Sequence, residues 1–282
     1  MKKLFLLFVF CSLTLRVFAL NVGDLFIQNS RFWQNKVSLD ISNGELFSSG
    51  FTFDITEHKD IKNKVYAFHL PFMLKVNILD LTITPFWYPN ISNDVSAYGS
   101  SIKVESLIRS DEVNNIYANG YLKAAFANQK ADIIRGIAPQ NKENFKQLAF
   151  EGGVNFNFAN LYNFNINGNI FTYPDGVKNI SSFGSIMNQN ELGDLGTIDY
   201  ILKLPNFSLG GSISWMSPEN NTTTLLIYKY INYEHNFLAH SLMLRTIIPV
   251  TENLLTTLIY NHVFEKYHKN KDLFGVGLNF LF

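Results

Sequence analysis

Residues 147–170 read QLAFEGGVNFNFANLYNFNINGNI. Leu148, Phe150, Gly152, Val154, Phe156 and Phe158 share one parity; Gln147, Ala149, Glu151, Gly153, Asn155 and Asn157 share the other. After a short Ala159-Asn160 turn, Tyr162, Phe164, Ile166, Gly168 and Ile170 alternate with Asn163, Asn165, Asn167 and Asn169. Successive side chains of a strand point to opposite faces, so this stretch predicts an antiparallel hairpin with one apolar and one polar face. Two environments accept such a hairpin. A soluble sandwich buries the apolar face in its core. A transmembrane barrel turns the apolar face to lipid and the polar face to its lumen. Periodicity alone does not choose between them.

Composition narrows the classes. The chain has 282 residues, 47% hydrophobic and only 16% charged, with 26 Phe and 13 Tyr. A disordered chain carries more charge and fewer aromatics. Past residue 20 there is no apolar run of the roughly twenty residues that a membrane-spanning helix needs. Lys+Arg and Asp+Glu both number 23, so no bulk positive charge invites nucleic acid, and no nucleic-acid partner is expected. At the start, Lys2 and Lys3 precede the apolar run Leu4–Phe10, and Val17-Phe18-Ala19 follows. This pattern predicts a secretory signal peptide over residues 1–19, cut after Ala19. Cys11 is the only cysteine, and bulky Phe10 before it argues against a lipid-attachment site.

The same alternation predicts twelve strands, near 45–54, 65–76, 80–88, 95–108, 115–127, 146–158, 161–172, 207–216, 223–233, 237–248, 253–264 and 271–282. In the last, Phe274, Val276, Leu278, Phe280 and Phe282 lie on one face and Gly275, Gly277 and Asn279 on the other. A final strand ending on an aromatic resembles the closing strand of bacterial outer-membrane β-barrels. That resemblance implies outer-membrane lipid and the barrel insertion machinery as partners, and the outer membrane as location. Aromatics fall at strand ends: Phe158, Tyr162, Trp215 and Phe282 near one, Trp87, Tyr88 and Tyr98 near the other, as interfacial belts require. With the C-terminus periplasmic, the short connections near 77–78, 159–160, 217–221 and 250–252 fall inside. The long ones, 128–145 and 173–206, fall outside, which is the asymmetry of such barrels. The expected fold is therefore all-β: a transmembrane antiparallel up-and-down barrel of about twelve strands, residues 45–282, with both termini periplasmic.

Some segments fit less cleanly. Residues 20–44 are expected as a periplasmic N-terminal segment or a plug, a further barrel strand being the alternative. Residues 196–204 alternate but read as part of the long outer loop. Pro71 and Pro85 lack the N–H of a ladder and imply a bend or bulge. Residues 223–233 are apolar at both parities, so their facing is open.

The polar parity lines the expected lumen with Lys75, Lys103, Glu105, Arg109, Lys123, Glu151, Asn155, Asn163, Asn165, Asn167, Asn169 and Arg245. Twelve strands tilted about 40° give a backbone radius of roughly 12 Å, between a filled barrel and a wide channel. The expected function is a narrow porin-like channel for passive diffusion of small polar solutes. The alternative is a non-conducting surface barrel whose loops 128–145 and 173–206 bind an external ligand. No enzyme is expected. His69 has Ala67 and Pro71 beside it on its face, and the His-Ser-Asn pattern of outer-membrane phospholipases is not visible. His235 and His240 lie on opposite faces of a strand and preassemble no metal site, and no nucleotide-binding glycine loop or other cofactor motif occurs.

Overall fold

The computed structural model describes residues 19–28, 32–43, 46–58, 64–89, 95–131, 143–174, 205–233, 237–266 and 270–282. Residues 1–18 of the expected signal peptide, and 132–142 and 175–204 of the long connections, lie outside the described residues, as does the alternating stretch 196–204. The described chain is all strand: β1 (Ala19–Gln28), β2 (Phe32–Ser42), β3 (Phe47–His58), β4 (Val65–His69), β5 (Phe72–Val76), β6 (Leu79–Tyr88), β7 (Val95–Asp111), β8 (Ile116–Ala131), β9 (Glu143–Phe158), β10 (Tyr162–Thr172), β11 (Pro205–Met216), β12 (Thr223–Tyr233), β13 (Phe237–Thr251), β14 (Leu254–Glu265) and β15 (Lys271–Leu281). Each pairs antiparallel with its neighbours. β1 meets β15 from Asn21↔Leu281 to Gln28↔Phe274, which closes the sheet on itself.

β4 and β5 are two halves of one strand. β3 and β6 pair with both halves in unbroken register, Thr52↔His69 continuing to Ser49↔Phe72 and His69↔Phe86 to Phe72↔Ile83. The bend or bulge expected at the two prolines is only a gap in the ladder at Leu70-Pro71. Proline loses a donor and keeps its acceptor. Accordingly, Gly50 N–H donates to the Pro71 carbonyl (2.8 Å) and Leu70 N–H to that of Pro85 (3.0 Å). The register shifts lie elsewhere, at Leu107/Arg109, Pro205/Phe207 and Pro249/Thr251.

The barrel thus has fourteen strands, not twelve. The two additional ones, β1 and β2, come from the N-terminal stretch assigned above to a separate segment or plug; they bridge β15 and β3. Fourteen strands at the same tilt give a backbone radius of about 14 Å.

The apolar parity faces out. Leu122 is 73% exposed and Ile166 67%, whereas the inward-facing Leu273 and Ala127 are fully buried. Phe274, Val276, Leu278, Phe280 and Phe282 are all exposed on the outer face. In water so large an apolar belt would be an aggregation surface. In lipid it is matched, and closure leaves no unpaired strand edge in a medium that cannot hydrogen-bond. Phe158, Tyr162 and Trp215 form one cross-strand row at the end that holds the termini, and Trp87 pairs with Tyr98 at the opposite rim. Tyr88, one residue on from Trp87, points inward and is buried, so it leaves the expected belt.

The two ends differ. At the end holding the termini the connections are short, and Asn77, Asn115, Ala159, Asn160 and Asn221 turn there with positive φ. At Ala159-Asn160 two such residues make a tight hairpin, with Leu161 N–H donating to the Phe158 carbonyl (3.0 Å). The strand ends Ala131, Glu143, Thr172 and Pro205, which flank the long connections, are at the other end, called the loop end below. β7, β8 and β9, at 17, 16 and 16 residues, exceed the roughly 9–11 that cross a bilayer. A polar pair interrupts the apolar outer face midway along β1 and β2, where Asn35 Nδ2 donates to Asp24 Oδ1 at 2.7 Å.

Candidate functional site

The inner wall has a polar arc and an apolar arc. From β6 to β11 the inward side chains are mostly polar. Lys75 and Asp80 pair across the β5–β6 ladder near the termini end, and Asp80 is next to Glu105 on β7. Glu105 collects three partners. Lys103 Nζ lies 2.7 Å from its carboxylate, and the amides of Asn119 (3.3 Å) and Asn155 (3.4 Å) donate to it. Asn167 donates to Asn165 (2.8 Å), and Asn165 donates to Asn155. A chain of side-chain amides therefore runs across three strands into one carboxylate. Glu151 is held likewise, by Tyr121 Oη (2.8 Å) and Asn169 Nδ2 (3.3 Å). Each carboxylate receives several donors, which is how a charge remains tolerable inside a barrel.

Two glycines shape this arc. A Cβ at Gly153 would lie 2.6 Å from the Tyr121 ring, so the missing side chain is what lets that ring lie across β9. The ring also carries Lys103 Nζ above its face at 4.6 Å. At Gly210 a Cβ would meet Asn167 Oδ1 at 2.6 Å and the Lys229 stem at 3.3 Å. Lys229, on β12, thus lies over Gly210 of β11 and lines the same cavity as the asparagines of β10.

The other arc, β12 to β15 and β1, is mostly apolar, with Lys229, Thr257 and the Ser241–Asn261 hydrogen bond (2.7 Å) buried among its greasy side chains. Ile27, Ile231, Tyr233, Ala239, Val263 and Leu273 form one buried cluster, and Ile227, Met243 and Ile259 another, with Leu25 against both. This resolves the facing of 223–233: Leu225, Ile227, Ile231 and Tyr233 point in, Leu226 and Tyr228 point out. Arg245 rises from this apolar wall between Leu225 and Ile259.

Along the axis the interior changes as well. Toward the loop end, inward residues are buried: Ala67, Tyr88, Ala97, Ala127, Gln147, Phe171, Ile231, Ala239, Val263 and Leu273. Toward the termini end they are partly exposed. Where the two zones meet, a cavity of about 240 Å³ is lined by Lys103, Tyr121, Lys123, Glu151, Asn155, Asn163, Asn165, Asn167, Ser212 and Lys229.

Of the twelve residues read as lumen-lining, this cavity brings together Lys103, Lys123, Glu151, Asn155, Asn163, Asn165 and Asn167. Glu105 and Asn169 bond to its lining, and Lys75 stands apart at the termini end. Arg109 is corrected. The bulge at Leu107/Arg109 reverses parity, so Arg109 pairs with Ala118 and shares the outer face with Phe156. Sequence reasoning missed Lys229, whose strand shows no alternation, and Tyr121, whose parity on 115–127 was the available signal. His69 points inward, 3.5 Å from buried Asp54 and packed by Phe86 and Tyr88. Among the described residues no three His, Cys, Asp or Glu side chains converge as for a metal.

A closed antiparallel barrel with an apolar belt and a polar inner arc is the architecture of the bacterial outer-membrane β-barrel proteins, which this chain resembles. The chain aligns over 94% of its length, and 88% of the other's, with the CymD monoaromatic hydrocarbon channel (TM-score 0.54, 9% identity). It also aligns over 93% of its length with the NanC porin (98% of that chain, TM-score 0.46, 8% identity). With OprD of Pseudomonas aeruginosa the coverage is 94% of each chain (TM-score 0.46, 8% identity). At such identities the likeness is one of fold. No family model and no curated protein matches the sequence.

Proposed function

We propose that the protein is a porin-like channel of the bacterial outer membrane, exported by its signal peptide, with both termini periplasmic, through which small polar solutes diffuse passively. The observation that carries this reading is the polar cavity on the inner wall, enclosed by a belt that only lipid matches. Unlike a packed core, it keeps lysines, a glutamate and a row of amides around open space of 240 Å³, room for about eight waters at roughly 30 Å³ each. The apolar outer belt and the closing strand support outer-membrane lipid and the insertion machinery as its partners. Refolded protein in a planar bilayer tests the reading: discrete conductance steps are expected, and a silent bilayer with folded barrel present would reject it.

The buried layer at the loop end favours a second reading. A barrel packed there and silent in the bilayer would act through loops 128–145 and 173–206, binding an external partner. Shortening both loops would then abolish attachment while leaving the barrel folded.

A further inference from the structure

The arc whose inner wall is mostly apolar carries hydrogen-bonded polar side chains on its outer face. Tyr228 Oη and His240 Nδ1 lie 2.7 Å apart on β12 and β13. On β14 and β15, Asp272 accepts from Tyr260 Oη (2.7 Å) and lies 2.6 Å from His262 Nδ1. On β1 the inversion is complete: Leu25 and Ile27 point in and Asp24 points out, bonded to Asn35 of β2. By contrast, the outer face from Leu148 to Phe158 on β9 and from Tyr162 to Ile170 on β10 has no charged or amide side chain.

Depth separates these groups. Asp272 is the second residue of β15, at the loop-end interface, where water and headgroups can answer it. Asp24 is the sixth of ten residues in β1, across the ladder from the outward-facing Leu278 and Val37. Asn35 gives its carboxyl one hydrogen bond, at Oδ1. Among the described residues, Oδ2 has no donor, and the second N–H of Asn35 has no acceptor. Acyl chains cannot supply either, and an ionisable group at that depth marks a contact or a function.

The pair is complementary to itself. Two copies inserted the same way in one membrane can be related by a two-fold axis along the bilayer normal. Asp24 and Asn35 touch, so they lie at nearly one depth. An axis running between them sets Asp24 of each copy opposite Asn35 of the other. The spare N–H then meets the spare oxygen, twice. The neighbouring aromatics follow the same rule. Phe26 and Trp33, one step toward the loop end, are stacked at 6.3 Å, and the axis brings each to the other's counterpart in the second copy. Within lipid, where apolar contact alone gives no drive, packing and hydrogen bonds of this kind hold protein surfaces together.

We propose that the outer face of β1 and β2 is the contact through which two copies of this chain pair side by side in the membrane, with Asp24 and Asn35 bonded reciprocally at its centre. The pairing does not depend on solutes crossing the bore.

Sedimentation equilibrium of the refolded full-length protein in density-matched micelles should show a dimer. Asp24→Leu and Asn35→Leu each remove both symmetric bonds and should weaken it about tenfold. Asp24→Asn still donates and accepts, and should keep most of it. In vesicles, on a Cys11-free background, Val37→Cys beside the pair should link to itself through a short bismaleimide. Ile166→Cys should not, because β10 is seven strands from β2 around the barrel. A monomeric wild type, a dimer untouched by Asp24→Leu in a folded barrel, or linkage at position 166 in place of 37 would overturn the proposal. So would linkage of position 37, in cells, to a different membrane protein without any self-linked product.

Discussion

β9–β10 and β12 belong to one sheet and face the same interior, yet only the first is readable as a strand with two faces. On β9–β10 the inner wall is asparagine and glutamate, so each inward position contrasts with the lipid-facing one beside it. On β12 the inner wall is isoleucine and leucine, so Leu225 and Ile227 point in while Leu226 and Tyr228 point out, and the contrast vanishes. Alternation reports a difference between two environments, not the presence of a strand. Where lipid and lumen wall are equally greasy it falls silent.

The largest effect that separates the arcs should come from charge. Leu273→Asp places a carboxylate in the fully buried apolar cluster. It should lower unfolding free energy in micelles by about 3–5 kcal/mol, the cost typical of an uncompensated buried charge. Ser212→Asp, in the polar cavity with Lys229, should change it by under about 1 kcal/mol. Equal losses would erase the distinction between the arcs.

The same contrast explains what the sequence reading reached. The closing strand 271–282 and the hairpin 146–172 were legible because Gly275, Asn279 and the asparagines mark the inward parity. β1 was not, because its inward residues include Leu25 and Ile27, and its outward ones include Asp24. Polarity there is the reverse of the pattern sought, so the segment read as something other than barrel wall. Arg109 was misplaced for a different reason: a one-residue bulge reverses every facing beyond it, and parity counted along the sequence cannot register that. The cavity was legible residue by residue on β7 to β10, but Lys229 reaches it from an apolar strand over a glycine of the next one. Only the register across β10, β11 and β12 brings Lys229 level with Asn167 and Gly210.

Two neighbouring glycines sharpen the facing of β9. Gly153→Val meets the Tyr121 ring and should cost about 1–3 kcal/mol, the usual range for overpacking, with loss of the Tyr121–Glu151 bond. At Gly152, on the lipid face, an added Cβ finds only ordinary contact with Leu122 at 3.4 Å. Gly152→Val should therefore be near neutral. Chemical denaturation of the two variants side by side decides it.

On the outer face the Asp24–Asn35 hydrogen bond of β1 and β2 interrupts the apolar belt. A double-mutant cycle with Asp24→Leu and Asn35→Leu should give a coupling of about 0.5–1.5 kcal/mol, with each single variant losing more than the double. Additive effects would mean the pair does not hold in the membrane. The smallest expected change is at the β9–β10 turn, where Ala159 adopts φ of 53°. Ala159→Gly should raise stability by about 0.5–1 kcal/mol in the same assay, by relieving a left-handed backbone.

The direct test of inside against outside uses single cysteines on a Cys11-free background, refolded into vesicles. Position 278 is on the outer face of the closing strand and position 165 is on the inner wall, in the cavity. A fluorophore at Leu278→Cys should be quenched by nitroxide lipids and spared by aqueous iodide. At Asn165→Cys the order should reverse. Quenching of both positions by iodide alone, or of position 165 by lipid, would contradict a barrel with grease outside and amides within.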